Sequence, residues 1–251
     1  MKVLEKGVVA SNFEEAKNLH FMEIRVPKIS AQLKPGNFVS ILPPASSGAF
    51  LRRPFSVAGV NGGALKLVIR DIGKATHAIT ALQQDDAIEV LGPLGNSYPA
   101  FELDKKIWLL GGGTGIASLL FVHDVHKNPG DRILWGGKTS CELPELPHIP
   151  SGYTLATDDG SCGECGNVVE VTRRWLASDR PDYIVACGPR GLLKVVQQLA
   201  AEYKIPTWIS CEEFMACGMG ACAGCAVPLA AGGYARVCAD GPVFKAEEVL
   251  L

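Results

Sequence analysis

The stretch KIWLLGGGTGIASLL, residues 106–120, decides the reading of the fold. A short apolar strand runs into a glycine-rich turn, and the turn runs into a helical pattern. Backbone amides and a helix N-terminus at such a junction can hold phosphate. The dinucleotide fingerprint is imperfect: counted from Gly113 and Gly115, the third glycine position falls on Ser118. No acidic residue ends the next strand, RILWGG at 132–137. At Gly112, Gly113, Thr114 and Gly115, close-packed structural glycine therefore stays open beside ligand binding. A second turn of this kind, IVACGPRGLL at 184–193, offers Cys187, Gly188 and Pro189. Two such turns at the carboxyl ends of parallel strands predict a binding crevice between them, although Cys187 also fits an ordinary buried thiol.

Outward from this stretch, strand and helix alternate: YTLAT (153–157), NVVEVTRRWLAS (167–178), DYIVAC (182–187), GLLKVVQQLAAEYK (191–204) and PTWIS (206–210). This alternation predicts a Rossmann-like parallel α/β domain over 101–210. Upstream, FMEIRVP (21–27), NFVSIL (37–42), PFSVAGV (54–60) and ALKLVIRD (64–71) are separated by the punctuation KPGN, PPASSG and NGG. They predict an antiparallel β-barrel over 1–100, with one helix at GKATHAITAL (73–82) and IEVLGPLG (88–95) closing it. From Cys211 to the end neither pattern continues. The segment 211–251 is rich in Gly, Ala and Cys and too short to build a core unaided, so it reads as a compact appendage.

Composition narrows the class. A chain of 251 residues with 47% hydrophobic content supports more than one core, and a formal charge of -2 shows no basic surface for general nucleic-acid binding. The N-terminal sequence has no apolar signal region, and no apolar run approaches the roughly 18 residues of a membrane span. A soluble cytoplasmic protein is expected. In that reducing compartment, nine cysteines point to metal or redox chemistry rather than to a disulfide framework.

Four of them are concentrated in FMACGMGACAGCAVP (214–228) and RVCADGPVF (236–244). Cys217, Cys222 and Cys225 have the spacing C-x4-C-x2-C, the plant-type [2Fe-2S] run that a more distant cysteine, here Cys238, completes. Gly218, Gly220, Ala221 and Gly224 let backbone N–H groups approach anionic sulfur. A structural zinc site in a non-enzymatic interaction module is the alternative, and so is a set of packed thiols; zinc sites usually pair two C-x2-C knuckles. A further pair, Cys162 and Cys165 in DDGSCGECGNVV, shares the C-x2-C spacing, has no second pair nearby and reads as incidental loop thiols. In the barrel, LRRPFSVAG (51–59) sets two arginines before Pro54, Phe55 and Ser56. A guanidinium there suits a diphosphate, and an exposed basic turn is the plain alternative.

The string RPFS at 53–56, then GGGTGIASLL and CGP, resembles the ferredoxin reductase superfamily. With ATDDGS and the two cysteine segments added, the likeness runs from near residue 1 to the end. It is to the electron-transfer subunits of bacterial NAD-linked (class 1B) dihydroorotate dehydrogenases. The resemblance implies FAD contacts from Arg53, Pro54, Phe55 and Ser56, from Val68, Ile69 and Arg70, and from Ala75 and Thr76. At the last pair the family usually has Gly-Thr, so Ala75 is a departure. It further implies NAD(H) at the glycine turns and cluster ligation by Cys217, Cys222, Cys225 and Cys238. No role carries over to Cys162 or Cys165.

The same resemblance implies an oxidoreductase subunit in pyrimidine (UMP) biosynthesis. Electrons pass between FMN on a catalytic partner subunit and NAD+ by way of the [2Fe-2S] cluster and FAD, and dihydroorotate chemistry belongs to the partner. A flavin suits the junction because it takes two electrons together and releases them singly. A heterotetramer with two copies of each chain is expected, as is a preference for NADH that the residues alone do not fix. A reductase subunit serving ferredoxin or sulfur compounds is the alternative within the class.

Overall fold

The computed structural model describes residues 1–144 and 152–251. Its first part is a closed six-stranded barrel of β1 (Val3–Ala16), β2 (Leu19–Arg25), β3 (Phe38–Leu42), β4 (Arg53–Asn61), β5 (Ala64–Arg70) and β6 (Ala87–Leu94). The order around the barrel is β1-β2-β5-β4-β3-β6, and every neighbouring pair is antiparallel. A one-turn helix α1 (Pro27–Ser30) and the helix α2 (Lys74–Thr80) pack on it. Alternation along β5 explains how the barrel serves two neighbours. Leu65, Leu67 and Ile69 point into the barrel core, while Val68 packs with Ile107, Leu109 and Ile116 of the next layer.

The second part is built on β7 (Ile107–Gly112), α3 (Ile116–His126), β8 (Arg132–Gly137), β9 (Tyr153–Thr157), β10 (Glu164–Cys165), α4 (Val168–Leu176), β11 (Tyr183–Cys187), α5 (Arg190–Tyr203) and β12 (Thr207–Ser210). The sheet order is β10-β9-β8-β7-β11-β12, and all of these pairs are parallel. Strands β8 and β11 flank β7 on opposite sides, so the winding reverses between β7 and β11. That reversal is where open α/β sheets leave a crevice at the carboxyl ends of their strands. The capping signal of α4 is satisfied: Asn167 Oδ1 accepts the N–H groups of Val169 and Glu170, and Glu170 Oε2 accepts that of Asn167.

The tail, expected as a compact appendage without a core of its own, is built onto the large sheet. After the hairpin of β13 (Ala226–Pro228) and β14 (Tyr234–Arg236), the strand β15 (Val243–Lys245) adds to the large sheet, antiparallel to β12. Cys225, Val227, Val237, Cys238, Phe244 and Val249 share one hydrophobic cluster with Trp108, Leu134, Ile184 and Val196 of the α/β layer. Asn96, just beyond the barrel, fixes the free side of β15: its Nδ2 donates to Val243 O at 2.8 Å and its Oδ1 accepts Val243 N–H at 2.9 Å. A segment too short for its own core is thus stabilised by the core of its neighbour. Among the described residues, no helix is long and apolar enough to cross a membrane.

Candidate functional site

The cysteine loop has a specific pattern of donors. Gly220 N–H points at Cys238 Sγ (3.1 Å), Cys222 N–H at Cys217 Sγ (3.4 Å), Gly224 N–H at Cys222 Sγ (3.5 Å) and Cys238 N–H at Cys225 Sγ (3.4 Å). Each of the four sulfurs therefore accepts a backbone N–H, as anionic thiolates around a metal centre require. Cys225 and Cys238 are buried, Cys217 is half-buried and Cys222 is exposed, so the site has a protein side and an open side. The N–H groups of Met219 and then Cys222 pull the Cys217 thiol down to about 6. Burial, with the Cys225 sulfur adding to it, pushes Cys238 up to about 12. Among the described residues no three such side chains are grouped to hold a single metal ion, whereas four soft donors from two turns, solvated by backbone dipoles, suit the larger iron–sulfur cluster.

The chain that leads into this loop also walls a cavity of about 370 Å³. One wall comes from the barrel and contains Arg53, Pro54, Phe55, Ser56, Val68, Arg70 and Thr76. The other contains Thr114 and runs from Ser210 to Met215, two residues short of Cys217. Seven of the nine barrel residues expected to hold flavin thus converge on one space. The other two turn away, since Ile69 is fully buried in the barrel core and the Ala75 side chain is buried beneath α2. At Ala75 only backbone is left to meet a ligand, and its methyl group displaces nothing in the cavity. The paired arginines divide their work. Arg52 is ion-paired to Glu89, whereas Arg53 lines the cavity and donates to Leu51 O at 2.7 Å. Thr76 Oγ1 accepts the N–H groups of Ile72 and Gly73 and so fixes the entry to α2.

The two glycine turns pack on each other. A Cβ on Gly115 would lie 2.5 Å from Cys187 O, and one on Gly188 would lie 3.0 Å from Gly112 Cα. Close packing therefore accounts for Gly112, Gly115 and Gly188. Gly113 differs: it has φ +55, and a Cβ there would meet nothing within 4 Å, so open space lies beside it at the end of β7, while its carbonyl accepts Trp135 Nε1–H at 2.9 Å. Pro189 lines a smaller cavity of about 130 Å³ with Gly188, Arg190, Cys211, Glu212 and Glu213. Cys187 is fully buried, and both burial and the Glu212 carboxylate raise its thiol.

Glu212 was not expected from the sequence. It lines both cavities, its Oε1 lies 4.0 Å from Cys187 Sγ, and burial raises its carboxyl above the ordinary range. Glu213, Phe214 and Met215 were missed with it; their only signal was adjacency to the cysteine run. A further groove of about 290 Å³, between Phe13, Phe21, Trp135 and Tyr153, contains none of the expected residues.

Residues 212–250 match the model of the iron-sulfur cluster binding domain of dihydroorotate dehydrogenase B. The chain is 33% identical over 252 residues to a dihydroorotate dehydrogenase B (NAD(+)) electron transfer subunit homolog of Aquifex aeolicus, covering 97% of each chain. It is 34% identical to the dihydroorotate dehydrogenase B (NAD(+)) electron transfer subunit of Geobacillus kaustophilus, covering 98% of each. Among solved structures, a chain of the NADH-dependent reduced ferredoxin-NADP oxidoreductase superposes with a TM-score of 0.86 at 28% identity, over 97% of this chain and 89% of that one. Phthalate dioxygenase reductase, at 17% identity and a TM-score of 0.61 over 80% of this chain and 65% of that one, shares the fold.

Proposed function

Because this chain belongs to the family of dihydroorotate dehydrogenase B (NAD(+)) electron transfer subunits, we propose that it carries electrons between an FMN-containing dihydroorotate-oxidising subunit and NAD+. In this reading FAD occupies the barrel (1–100), NAD(H) the α/β layer (101–210) and a [2Fe-2S] cluster the tail (211–251). When bound, the flavin exchanges a hydride with nicotinamide and single electrons with the cluster, which no side chain of the protein can do. The protein's own residues supply position. Arg53, with Arg70 on the same wall, would hold the anionic part of the flavin, Ser56 would meet a polar ring edge, and Gly113 and Thr114 would border the nucleotide crevice. The observation that carries the proposal is the continuity of the segment from Ser210 to Cys217, one end of which walls the cavity while the other begins the cysteine loop. Phe214, 95% exposed, and Met219, 44% exposed, flank that loop with apolar surface suited to a partner subunit. Pyrimidine biosynthesis in the cytoplasm follows from the same reading.

The deciding experiment mixes the purified chain with a dihydroorotate-oxidising flavoprotein of the same organism. NAD+-linked dihydroorotate oxidation should appear only in the mixture, and the chain alone should pass electrons from NADH to dyes. Oxidation of dihydroorotate by the isolated chain defeats the proposal. A second reading, a subunit of another NAD(P)H oxidoreductase, is favoured by the 28% identity and near-complete superposition with the ferredoxin-NADP oxidoreductase chain; it gains if no such flavoprotein binds. For the flavin, Arg53→Ala removes a charge-assisted bond of about 1.5–3 kcal/mol. Flavin affinity should fall by roughly ten- to hundredfold, and unchanged retention on dialysis would exclude Arg53 as a ligand.

A further inference from the structure

We infer that Arg236 is a positioning residue for the cysteine loop, one that sets the electron affinity of the group held by the four sulfurs. The inference rests on the iron–sulfur reading above. Arg236 lies two residues before Cys238 and joins the two turns that carry the ligands. Its Nη1 donates to Gly220 O at 2.9 Å. Its Nε and Nη2 form a fork on Asp240, both at 3.0 Å, and its backbone N–H donates to the same carboxylate at 2.8 Å. Its carbonyl accepts the N–H groups of Ala239, Asp240 and Gly241. Gly220, held in this way by its carbonyl, presents its own N–H to Cys238 Sγ at 3.1 Å, the shortest of the four N–H to sulfur contacts.

Gly220 is shaped for this contact. It has φ +91, and a Cβ there would lie 2.8 Å from Ala239 Cβ and 3.5 Å from Arg236 Nη1. The guanidinium thus lies directly against the loop backbone. A planar fork can bind a carboxylate and a carbonyl at once, which a lysine ammonium cannot do in the same geometry.

The electrostatic consequence has a definite sign. Reduction adds one negative charge to the centre, so a nearby cation and an N–H aimed at sulfur both favour the reduced form. Asp240 opposes the cation while it orients it. Removing the positive charge should lower the midpoint potential, and removing the negative charge should raise it. An ordinary exposed ion pair, which contributes little to stability, has no such signature.

The test compares wild type, Arg236→Gln, Arg236→Lys and Asp240→Asn as full chains purified without oxygen. Iron and sulfide are measured first, and then the midpoint is found by dye titration followed by electron paramagnetic resonance. Arg236→Gln should shift the dye equilibrium about tenfold toward the oxidised form, about 59 mV for a one-electron couple. Asp240→Asn should shift it the opposite way, and Arg236→Lys should fall between Arg236→Gln and wild type. Unchanged potentials, or shifts of one sign in both charge-removing variants, overturn the inference. If Arg236→Gln loses its iron, Asp240→Asn and Arg236→Lys decide the matter on their own. Wild-type protein without iron or sulfide would instead overturn the cluster reading beneath it.

Discussion

Two C-x2-C pairs share a spacing and nothing else. Around Cys222 and Cys225 the backbone turns its N–H groups inward, and two further thiols, Cys217 and Cys238, close the ring of donors. Around Cys162 and Cys165 the backbone is engaged elsewhere. The Thr157 hydroxyl accepts Cys162 N–H and donates to Cys162 O, and Arg174 donates to Cys165 O. Neither of these sulfurs accepts a hydrogen bond among the described residues; Cys165 is exposed on the edge strand β10, and Cys162 packs against the α/β core. On the proposed reading, the convergence of dipoles on sulfur marks the metal site, and cysteine spacing alone does not supply it.

The largest expected effect tests that statement at its centre. Cys225→Ser should remove the red-brown absorption and most of the iron, with FAD retained in the separate cavity. Iron and sulfide at wild-type levels would break the comparison outright. A smaller effect is expected at Gly220, where the dipole pattern changes and every thiol remains. Gly220→Ala places a side chain at φ +91 against Ala239, at a cost of about 1–2 kcal/mol. Iron occupancy should fall between those of wild type and Cys225→Ser; an occupancy equal to wild type would mean that the Gly220 N–H is dispensable.

The donors can also be read without iron. In protein stripped of metal, Cys217 is held down to about 6 from an ordinary 9.0. Its alkylation by iodoacetamide, followed by peptide mass spectrometry, should rise through pH 6 and level off by neutrality. The stability it contributes is complete above its unfolded value and is lost as pH falls through 6. A Cys217 rate that begins to rise only near pH 9 would show that the loop relaxes when empty.

Much of this was legible, for identifiable reasons. Barrel strands β2 to β6 showed alternation bounded by Pro and Gly, and the parallel strands showed continuous apolar runs. Strand β1, Val3–Ala16, did not, because in VLEKGVVASNFEEA the apolar Leu4 and Phe13 face solvent while a glutamate lies on the inward face. That glutamate, Glu5, is buried to accept the N–H groups of Lys28 and Ile29 at the head of α1. Strand β15 is three residues long, too short for a period, and its pairing depends on Asn96 and on β12. Glu212 carries no motif signal in the sequence, where it simply precedes a second glutamate. Only tertiary structure puts it beside Cys187.

The smallest expected effect is the most demanding of the comparison. Replacing both Cys162 and Cys165 with Ser keeps the spacing, the turn and nearly the volume, and removes only sulfur. Cys162 meets Thr157 through its backbone, and Arg174 meets the Cys165 carbonyl, so a serine at either position keeps those bonds. The sulfur of Cys165 lies 2.9 Å from where a Cβ on Gly160 would stand, so with glycine there a slightly smaller hydroxyl fits without strain. Iron content, flavin content and NADH-to-dye turnover should therefore match wild type, and the melting temperature should stay within the shift of an ordinary surface substitution, about 0.5 kcal/mol. Loss of iron in this variant would make the second pair a participant in metal binding or delivery, and the contrast between converging and diverging N–H groups would then fail as the criterion for the site.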